Sequence, residues 1–422
     1  MRRVVVTGLG VVAPGGVGVK DFWALLTDGR TATRAITRFD AGGFRSRVAG
    51  EVDFDPAGHG MAPGLDRVAQ FALACAGEAL SDAGLDAERP EGPRTGVCLG
   101  TALGCASAMD DAYRRASGCG EAWVVDHVLA GPRLRDWLAP ASLAAEVARE
   151  TGVEGPVSVV STGCTAGMDA LGHAAELIRE GSADVMLAGA SEAPLSPITA
   201  ACFDAIKATS RHNDSPATAS RPFDRTRGGF VLAEGAAVLV LEEYGRARRR
   251  GAHLYAEILG FGATNNAYHM TGLRADGVEM GEAIRIALRE ARVAGADVDH
   301  VNAHGSGTRQ NDVHETAALK LALGEHAYRV PVSAIKSMIG HSLGAIGALE
   351  AVASVLAIEH GTVPPTANLH EPDPDCDLDY TPLTAREHRT DVVLTVGSGF
   401  GGFHSAMVLA RPVRRRAEEA AG

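Results

Sequence analysis

Cys164 lies in the run Val157 to Gly167, V-S-V-V-S-T-G-C-T-A-G, where a short apolar strand breaks at Gly163 and a helix of small residues begins. A thiol on such a strand-to-helix turn is placed for nucleophilic attack. The helix predicted from Thr165 to Glu180 repeats apolar side chains at Met168, Leu171, Ala175 and Ile178, so its N-terminal amides and positive dipole end point at the sulfur. The expectation is a thiol that ionises more readily than an ordinary one. A single cysteine so placed also fits a small buried hydrophobe, and its company decides between the two. His304 follows a predicted strand, His300 to Ala303, in V-N-A-H-G-S-G-T, where small residues leave the ring accessible. Lys336 and His341 share I-K-S-M-I-G-H-S-L-G. A thiol, imidazoles and an ammonium at strand-helix junctions form the set that covalent catalysis uses: a nucleophile, proton carriers and a fixed positive charge.

The elements that must position these groups alternate along the chain. Val4 to Thr7 is predicted as a buried strand followed by a Gly-rich turn, Gly8 to Gly18, and then a helix with Phe22, Trp23 and Leu26. A helix from about Val68 to Ala83, then strands Gly96 to Gly100, Val157 to Val160, Val185 to Gly189 and Ala236 to Glu242, complete a first set. Cys105 to Ala139 breaks the pattern and is expected to be an insertion or subunit contact. The alternation then restarts with strand Leu254 to Gly262, helix Met280 to Ala291, strand His300 to Ala303 and helix Val313 to Leu323. Strand Val330 to Ile335 and helix Leu343 to Glu359 follow, and the last strands are expected at Asp377 to Thr381, Val392 to Val396 and Ser405 to Ala410. Buried strands interleaved with helices predict a sheet covered by helices. The halves look related, since Cys164 and His341 each stand three residues before a Gly at the start of an Ala-rich helix. A nucleophile in one copy and an imidazole in the other place the site between them.

The chain has 422 residues, 46% hydrophobic and only 5% aromatic, enough for a large core built from small aliphatic side chains. No Pro/Ser-rich linker divides it. A formal charge of −12 argues against general nucleic-acid binding, and the basic runs Arg246 to Arg250 and Arg414 to Arg416 are short enough to be solvated surface. Seven cysteines without C-x-x-C pairs or ligand spacing fit neither a disulfide framework nor a zinc site, which implies a reducing compartment. The N-terminus runs straight into a strand without a signal-like segment, and no apolar run looks long enough to span a membrane. The expectation is a cytoplasmic protein.

Longer motifs now carry a resemblance. S-T-G-C-T-A-G, S-R-P-F-D-R-T-R-G-G-F-V-L-A-E-G-A at Ser220 to Ala236, N-A-H-G-S-G-T-R-Q-N-D at Asn302 to Asp312, K-S-M-I-G-H-S-L-G-A-I-G at Lys336 to Gly347 and G-S-G-F-G-G-F at Gly397 to Phe403 span the chain. Together they resemble the β-ketoacyl-acyl-carrier-protein synthases of thiolase fold, the elongating condensing enzymes of fatty acid and polyketide synthesis. The implied fold is α/β: a duplicated αβαβα layered fold whose halves are residues 1–250, carrying the nucleophilic Cys, and 251–412, carrying the His residues. T-G-C-T-A-G, A-C-F-D-A-I-K-A-T at Ala201 to Thr209, H-G-S-G-T-R-Q-N-D-x-H-E and V-G-S-G-F-G-G-F are most similar to the ketosynthase alpha subunits of type II aromatic polyketide synthases. The alternative is a homodimeric elongating synthase of the fatty-acid or polyene type. The Cys sets the chain apart from the chain-length factor of such systems, which resembles a ketosynthase but lacks the nucleophile.

The resemblance implies roles. Cys164 would carry the acyl chain, with backbone N–H groups of Cys164 and Phe400 as oxyanion donors. Gly401 and Gly402 would let the loop approach and swing, and Phe400 would gate the acyl pocket. His304 and His341 would serve decarboxylation of malonyl units, and Lys336, paired with Glu350, would hold His304. Ser306 and Thr308 would line the pantetheine path. Arg67 and Lys207, assisted by Arg211, would dock an acyl carrier protein. No metal and no cofactor are implied, because substrates ride on the carrier's phosphopantetheine arm. Relatives hold a structural cation near residues matching Asn302 and Glu350, but Val396, Gly397 and His404 depart from the pattern. The implied partners are the carrier protein and a chain-length factor forming a heterodimer through the strand after the Cys helix.

Overall fold

Ten strands build one large mixed sheet because nearly every strand residue is apolar on both faces: β1 (Val4–Ala13), β2 (Thr95–Gly100), β3 (Val157–Val160), β4 (Val185–Glu192), β5 (Gly235–Glu243), β6 (Ala256–Asn265), β7 (His300–Asn302), β8 (Val332–Ser333), β9 (Val392–Gly399) and β10 (Phe403–Ala410). The computed structural model describes residues 2–61, 64–85, 92–122 and 126–413; the basic run Arg414 to Arg416 lies outside them. The strand order is β8-β7-β9-β10-β6-β1-β5-β4-β2-β3, and a short strand, Gly16–Val17, hangs on β1. Read outward from the β1/β6 seam, each side runs antiparallel, antiparallel, parallel, parallel. Strands from the first part of the chain lie on one side of the seam and strands from the second part on the other. β3, which leads to Cys164, thereby corresponds to β8, which leads to Lys336 and His341.

Five helices matter for the site: α1 (Arg67–Asp82), α2 (Ala166–Arg179), α3 (Val278–Ala291), α4 (Arg309–Leu323) and α5 (Ile346–His360). The period-two pattern of the strands sorts side chains between layers. In β5, Ala237, Leu239 and Leu241 join a central cluster with α2 and α5, whereas Ala236, Val238 and Val240 face α1. The α3 side has its own outer cluster with strands β7, β9 and β10. Outer helices, sheet, central helices, sheet and outer helices therefore follow one another. Because α5 is enclosed by protein, every residue from Ile346 to Ile358 is buried. The stretch Leu343–His360 is long and apolar enough to cross a membrane, contrary to the expectation that no such run exists, but 89% of it is buried in this core.

Several elements differ from their predicted bounds. β1 continues to Ala13 through residues expected to turn, because α1 lies against it: a Cβ on Gly8 would stand 2.1 Å from Ala79 O and one on Gly10 2.0 Å from Cys75 O. Asp377 to Thr381 forms no strand. Its backbone reaches β8 through Val332 N–H donating to Asp379 O, while Tyr380 stacks on Phe223 in the core. Among its described residues, Cys105 to Ala139 holds three short helices, Ala106–Ala116, His127–Ala130 and Leu134–Leu138. The strand after the Cys helix, β4, is paired on both sides and fully buried, so it cannot extend the sheet to a partner. The free edge on that side is β3, before the Cys helix.

Candidate active site

Cys164 sits in a single tight turn, Gly163–Thr165, between β3 and α2, and Gly163 takes a positive φ of 62° there. The residue is half-buried and lines a cavity of about 790 Å³. Burial pushes its thiol up to about 12; the Lys336 charge and the Phe400 backbone N–H pull it down, and Glu192 adds to the rise. The expected easy ionisation is therefore corrected for the free protein. Desolvation of a thiolate outweighs the helix end and the nearby ammonium.

The second half supplies the rest of the cavity wall. His304 leaves β7 with its backbone N–H donating to Glu315 Oε1 at 2.6 Å, while Gly305 N–H donates to Glu315 Oε2 at 2.8 Å. Lys336, buried after β8, donates to His304 O and Glu350 and lies 3.3 Å from His304 Nδ1. An ammonium beside Nδ1 requires that nitrogen to accept, which leaves the ring proton on Nε2. The His304 and His341 rings meet edge to face at 5.3 Å, and Phe230 packs edge to face on His341 at 5.2 Å. Both imidazoles are held well below 6.5, first by burial and then by the Lys336 charge, so both are neutral. Burial pushes Glu350 up to about 7 against the pull of Lys336, and Glu315 up to about 8.

Phe400 stands at the cavity mouth, 37% exposed, on a hairpin between β9 and β10. Gly401 and Gly402 take φ of 92° and 81°, and a Cβ on Gly402 would stand 2.2 Å from Asn266 Oδ1. The hairpin is tied down from outside. Gly401 N–H donates to Met270 O at 2.7 Å, Asn265 Nδ2 to Gly401 O at 2.8 Å and Asn266 N–H to Gly402 O at 2.9 Å.

Cys164, His304, His341, Phe400, Gly402, Ser306 and Thr308 all line this cavity, and Lys336 and Glu350 lie buried behind His304. The Ser306 and Thr308 hydroxyls lie 3.0 Å apart, and that of Thr308 also accepts from Asn311 N–H at the start of α4, so each serves the loop as well as the cavity. Lys207 and Arg211 are exposed at the mouth. Arg67 is elsewhere: its guanidinium is bound to Glu234 at 2.7 and 2.9 Å and to Val52 O. Arg45 and Arg309 also line the mouth, and among the described residues no carboxylate does. Glu315, Asn265, Asn266, Phe230 and Arg45 escaped the sequence reading. Glu315, inside the quoted H-G-S-G-T-R-Q-N-D-x-H-E run, and Phe230, inside the quoted Ser220 to Ala236 run, left a signal there.

The residues fit a structural cation poorly. Asn302 Oδ1 and Glu350 Oε2 are buried oxygens without partners, but Val396 and Gly397 bring no side-chain oxygen, and His404 stacks on His314 at 5.0 Å. The described residues contain no cluster of three His, Cys, Asp or Glu suited to one metal ion.

Comparison with known proteins follows the same lines. The beta-ketoacyl synthase N-terminal domain profile matches residues 1–247 and the C-terminal domain profile residues 255–370. The tetracenomycin polyketide synthase ketoacyl synthase alpha subunit of Streptomyces glaucescens is 63% identical over 419 residues, 98% of each chain. The 3-oxoacyl-[acyl-carrier-protein] synthase 2 of Coxiella burnetii is 42% identical, over 97% of this chain and 99% of the relative. The AntDE:AntF structure, a type II PKS acyl-carrier protein in complex with its ketosynthase bound to the hexaketide, superposes with a TM-score of 0.91 at 43% identity, over 98% of this chain and 100% of that one. The ishigamide ketosynthase/chain length factor superposes with a TM-score of 0.88 at 36% identity, with the same coverage.

Proposed function

The chain belongs to the beta-ketoacyl synthase family, and from that premise we propose that it is the ketosynthase alpha subunit of a type II aromatic polyketide synthase. It is an acyltransferase that extends a chain held on Cys164 by decarboxylative Claisen condensation with malonyl-acyl carrier protein. The observation that carries the reading is the convergence of Cys164, His304, His341 and Phe400 on one cavity, with Lys336 buried behind them. The branch rests on identity: 63% to a polyketide alpha subunit against 42% to a fatty-acid-type synthase.

A thiol held near 12 is almost wholly protonated at neutral pH, so attack has to be coupled to proton removal; with His304 Nδ1 taken by Lys336 and its Nε2 protonated, the neutral His341 imidazole lining the cavity is the available base. Cys164 sulfur adds to the acyl thioester carbonyl, and the oxyanion accepts from the Cys164 and Phe400 N–H groups. The intermediate collapses, the pantetheine C–S bond breaks and the carrier leaves as its thiol. Malonyl-carrier then binds; its carboxylate departs as CO₂ and the electron pair stays as an enolate. His304 Nε2–H and His341 donate to the enolate oxygen. The enolate carbon attacks the acyl carbonyl, and Cys164 leaves from a second tetrahedral intermediate, releasing a chain two carbons longer on the carrier.

The partners follow from surface and edge. Arg45, Lys207, Arg211 and Arg309 at the mouth give an otherwise acidic protein a local positive field for an acidic carrier. Arg67, locked to Glu234 and Val52 O away from the cavity lining, is not counted among these docking charges. The edge strand β3 offers unpaired backbone to a chain-length factor, and exposed Tyr113, Leu129 and Leu138 lie in the nearby helical insertion. A free nucleophilic thiol fits work in the reducing cytoplasm. Trapping the acyl group on Cys164 by mass spectrometry, with the natural Cys-lacking partner co-expressed, tests the reading. Elongation by this chain alone as a homodimer on fatty acyl-carrier would favour the other branch.

A further inference from the structure

Asp169 plays no part in the chemistry above, yet its carboxylate bridges the two backbone segments that carry the oxyanion donors. One turn into α2, its Oδ2 accepts from the hydroxyls of Thr162 and Thr165, the latter at 2.8 Å. These residues flank Cys164 on either side. The Thr165 hydroxyl also lies 3.0 Å from Thr162 O, sharing its proton between the two acceptors and closing the turn. On the other side, Asp169 Oδ1 accepts from Ser405, on β10 just beyond the Phe400 hairpin. Burial pushes the carboxyl up while the three hydroxyls pull it back.

Besides the Phe400 N–H directed at Cys164, the turn and the hairpin meet through close contacts of small groups. A Cβ on Gly399 would stand 3.2 Å from Cys164 N, and one on Gly163 3.3 Å from Phe400 O. Backbone meets backbone there, and the Thr165 and Met168 side chains reach Gly397 of β9. The Cys164 and Phe400 N–H groups come from opposite halves of the chain, so their spacing depends on what ties the two segments together.

We propose that Asp169 is a positioning residue that fixes the oxyanion hole by tying Thr162 and Thr165 of the nucleophile turn to Ser405 of the hairpin strand. This rests on the assignment of Cys164 and Phe400 N–H groups as the oxyanion donors. Loss of the tie moves one donor against the other while leaving the sulfur, His304 and His341 in place.

The test compares Asp169→Ala, Asp169→Asn and Ser405→Ala with the wild type, each co-expressed with the natural partner. Acyl transfer from an acyl-carrier thioester to Cys164 is timed by intact-protein mass spectrometry, beside alkylation of Cys164 by iodoacetamide, a displacement that builds no oxyanion. Asp169→Ala is expected to slow acyl transfer about 10- to 100-fold and Ser405→Ala, which removes one arm, about 3- to 10-fold. Asp169→Asn keeps the shape and an accepting oxygen and falls between wild type and Asp169→Ala. Alkylation builds no oxyanion and feels the Phe400 N–H only through the thiolate, so it falls at most about threefold in all three, well short of the loss in acyl transfer for Asp169→Ala. Unchanged acyl transfer in Asp169→Ala overturns the proposal, as does alkylation that falls in step with acyl transfer. Should Asp169→Ala not fold, the other two variants decide on the same terms. A wild type that takes no acyl group onto Cys164 overturns the functional reading beneath it, a result independent of any Asp169 variant.

Discussion

At Cys164 burial raises the thiol, with Glu192 and Glu350 adding to the rise, while Lys336 and the Phe400 N–H lower it, and burial wins. Alkylation of the free enzyme by iodoacetamide should therefore keep rising with pH past about 9 without levelling, since the thiolate fraction is still small there. A plateau below pH 8 would show that the sulfur is far better stabilised than its surroundings imply. Cys164→Ala should abolish condensation outright, with product yield as the measure. His304 and His341 carry the opposite expectation. Groups held well below 6.5 stay neutral as pH falls through that value, so malonyl decarboxylation should show no acid limb between about pH 6 and 7. The same shifts mean that the unfolded chain binds protons first, so their contribution to stability is present above about 6.5 and is lost as pH falls toward the lowered values. His304→Ala should stop decarboxylation while acyl-enzyme still forms on Cys164. Failure of that variant to accumulate acyl-enzyme would contradict the division of roles.

Among the elements, the loop after β7 and the edge at β3 are the most exposed to test. Glu315 satisfies two buried backbone N–H groups, those of His304 and Gly305, from nearly two turns inside α4. Glu315→Ala leaves both donors without their acceptor, a cost of about 2–4 kcal/mol that a denaturant melt would register. A loss below about 0.5 kcal/mol would mean that the loop repairs itself by other bonds. At the edge, Val157 is 43% exposed on a strand with one side unpaired. Val157→Lys should weaken pairing with the partner, shifting the heterodimer toward free subunits in size-exclusion chromatography while the subunit keeps its own melting temperature.

Over the whole molecule, a net charge of −12 coexists with a cavity mouth whose charged lining is entirely basic. Long-range repulsion of an acidic carrier is thus overcome locally, and rising salt should weaken carrier binding because exposed mouth charges are screened. Lys207→Glu together with Arg211→Glu should raise KM for the carrier about 10-fold with kcat little changed. A fall in kcat at constant KM would place these residues in chemistry instead of docking. The sheet explains why the mouth is shared: the nucleophile turn and His341 follow the corresponding edge strands β3 and β8 on the two sides of the β1/β6 seam, and His304 follows β7 beside β8.

Much of this was legible in the chain alone. Period-two and helical patterns located most elements, the Cys164 and His341 segments matched each other, and the longer motifs marked the family, because each depends on residue type at short spacing. Tertiary structure decided what depends on distant neighbours. Desolvation of Cys164 is set by walls from both halves, so the helix end beside it could not forecast the sign of its shift. β1 ran through its glycines because α1, dozens of residues away, lies on them. Arg67 met Glu234, and β4 proved interior while β3 became the edge, since pairing order is a property of the closed sheet. Asp169 is one carboxylate among many in the chain; only the fold brings Ser405 to it and the two oxyanion segments together.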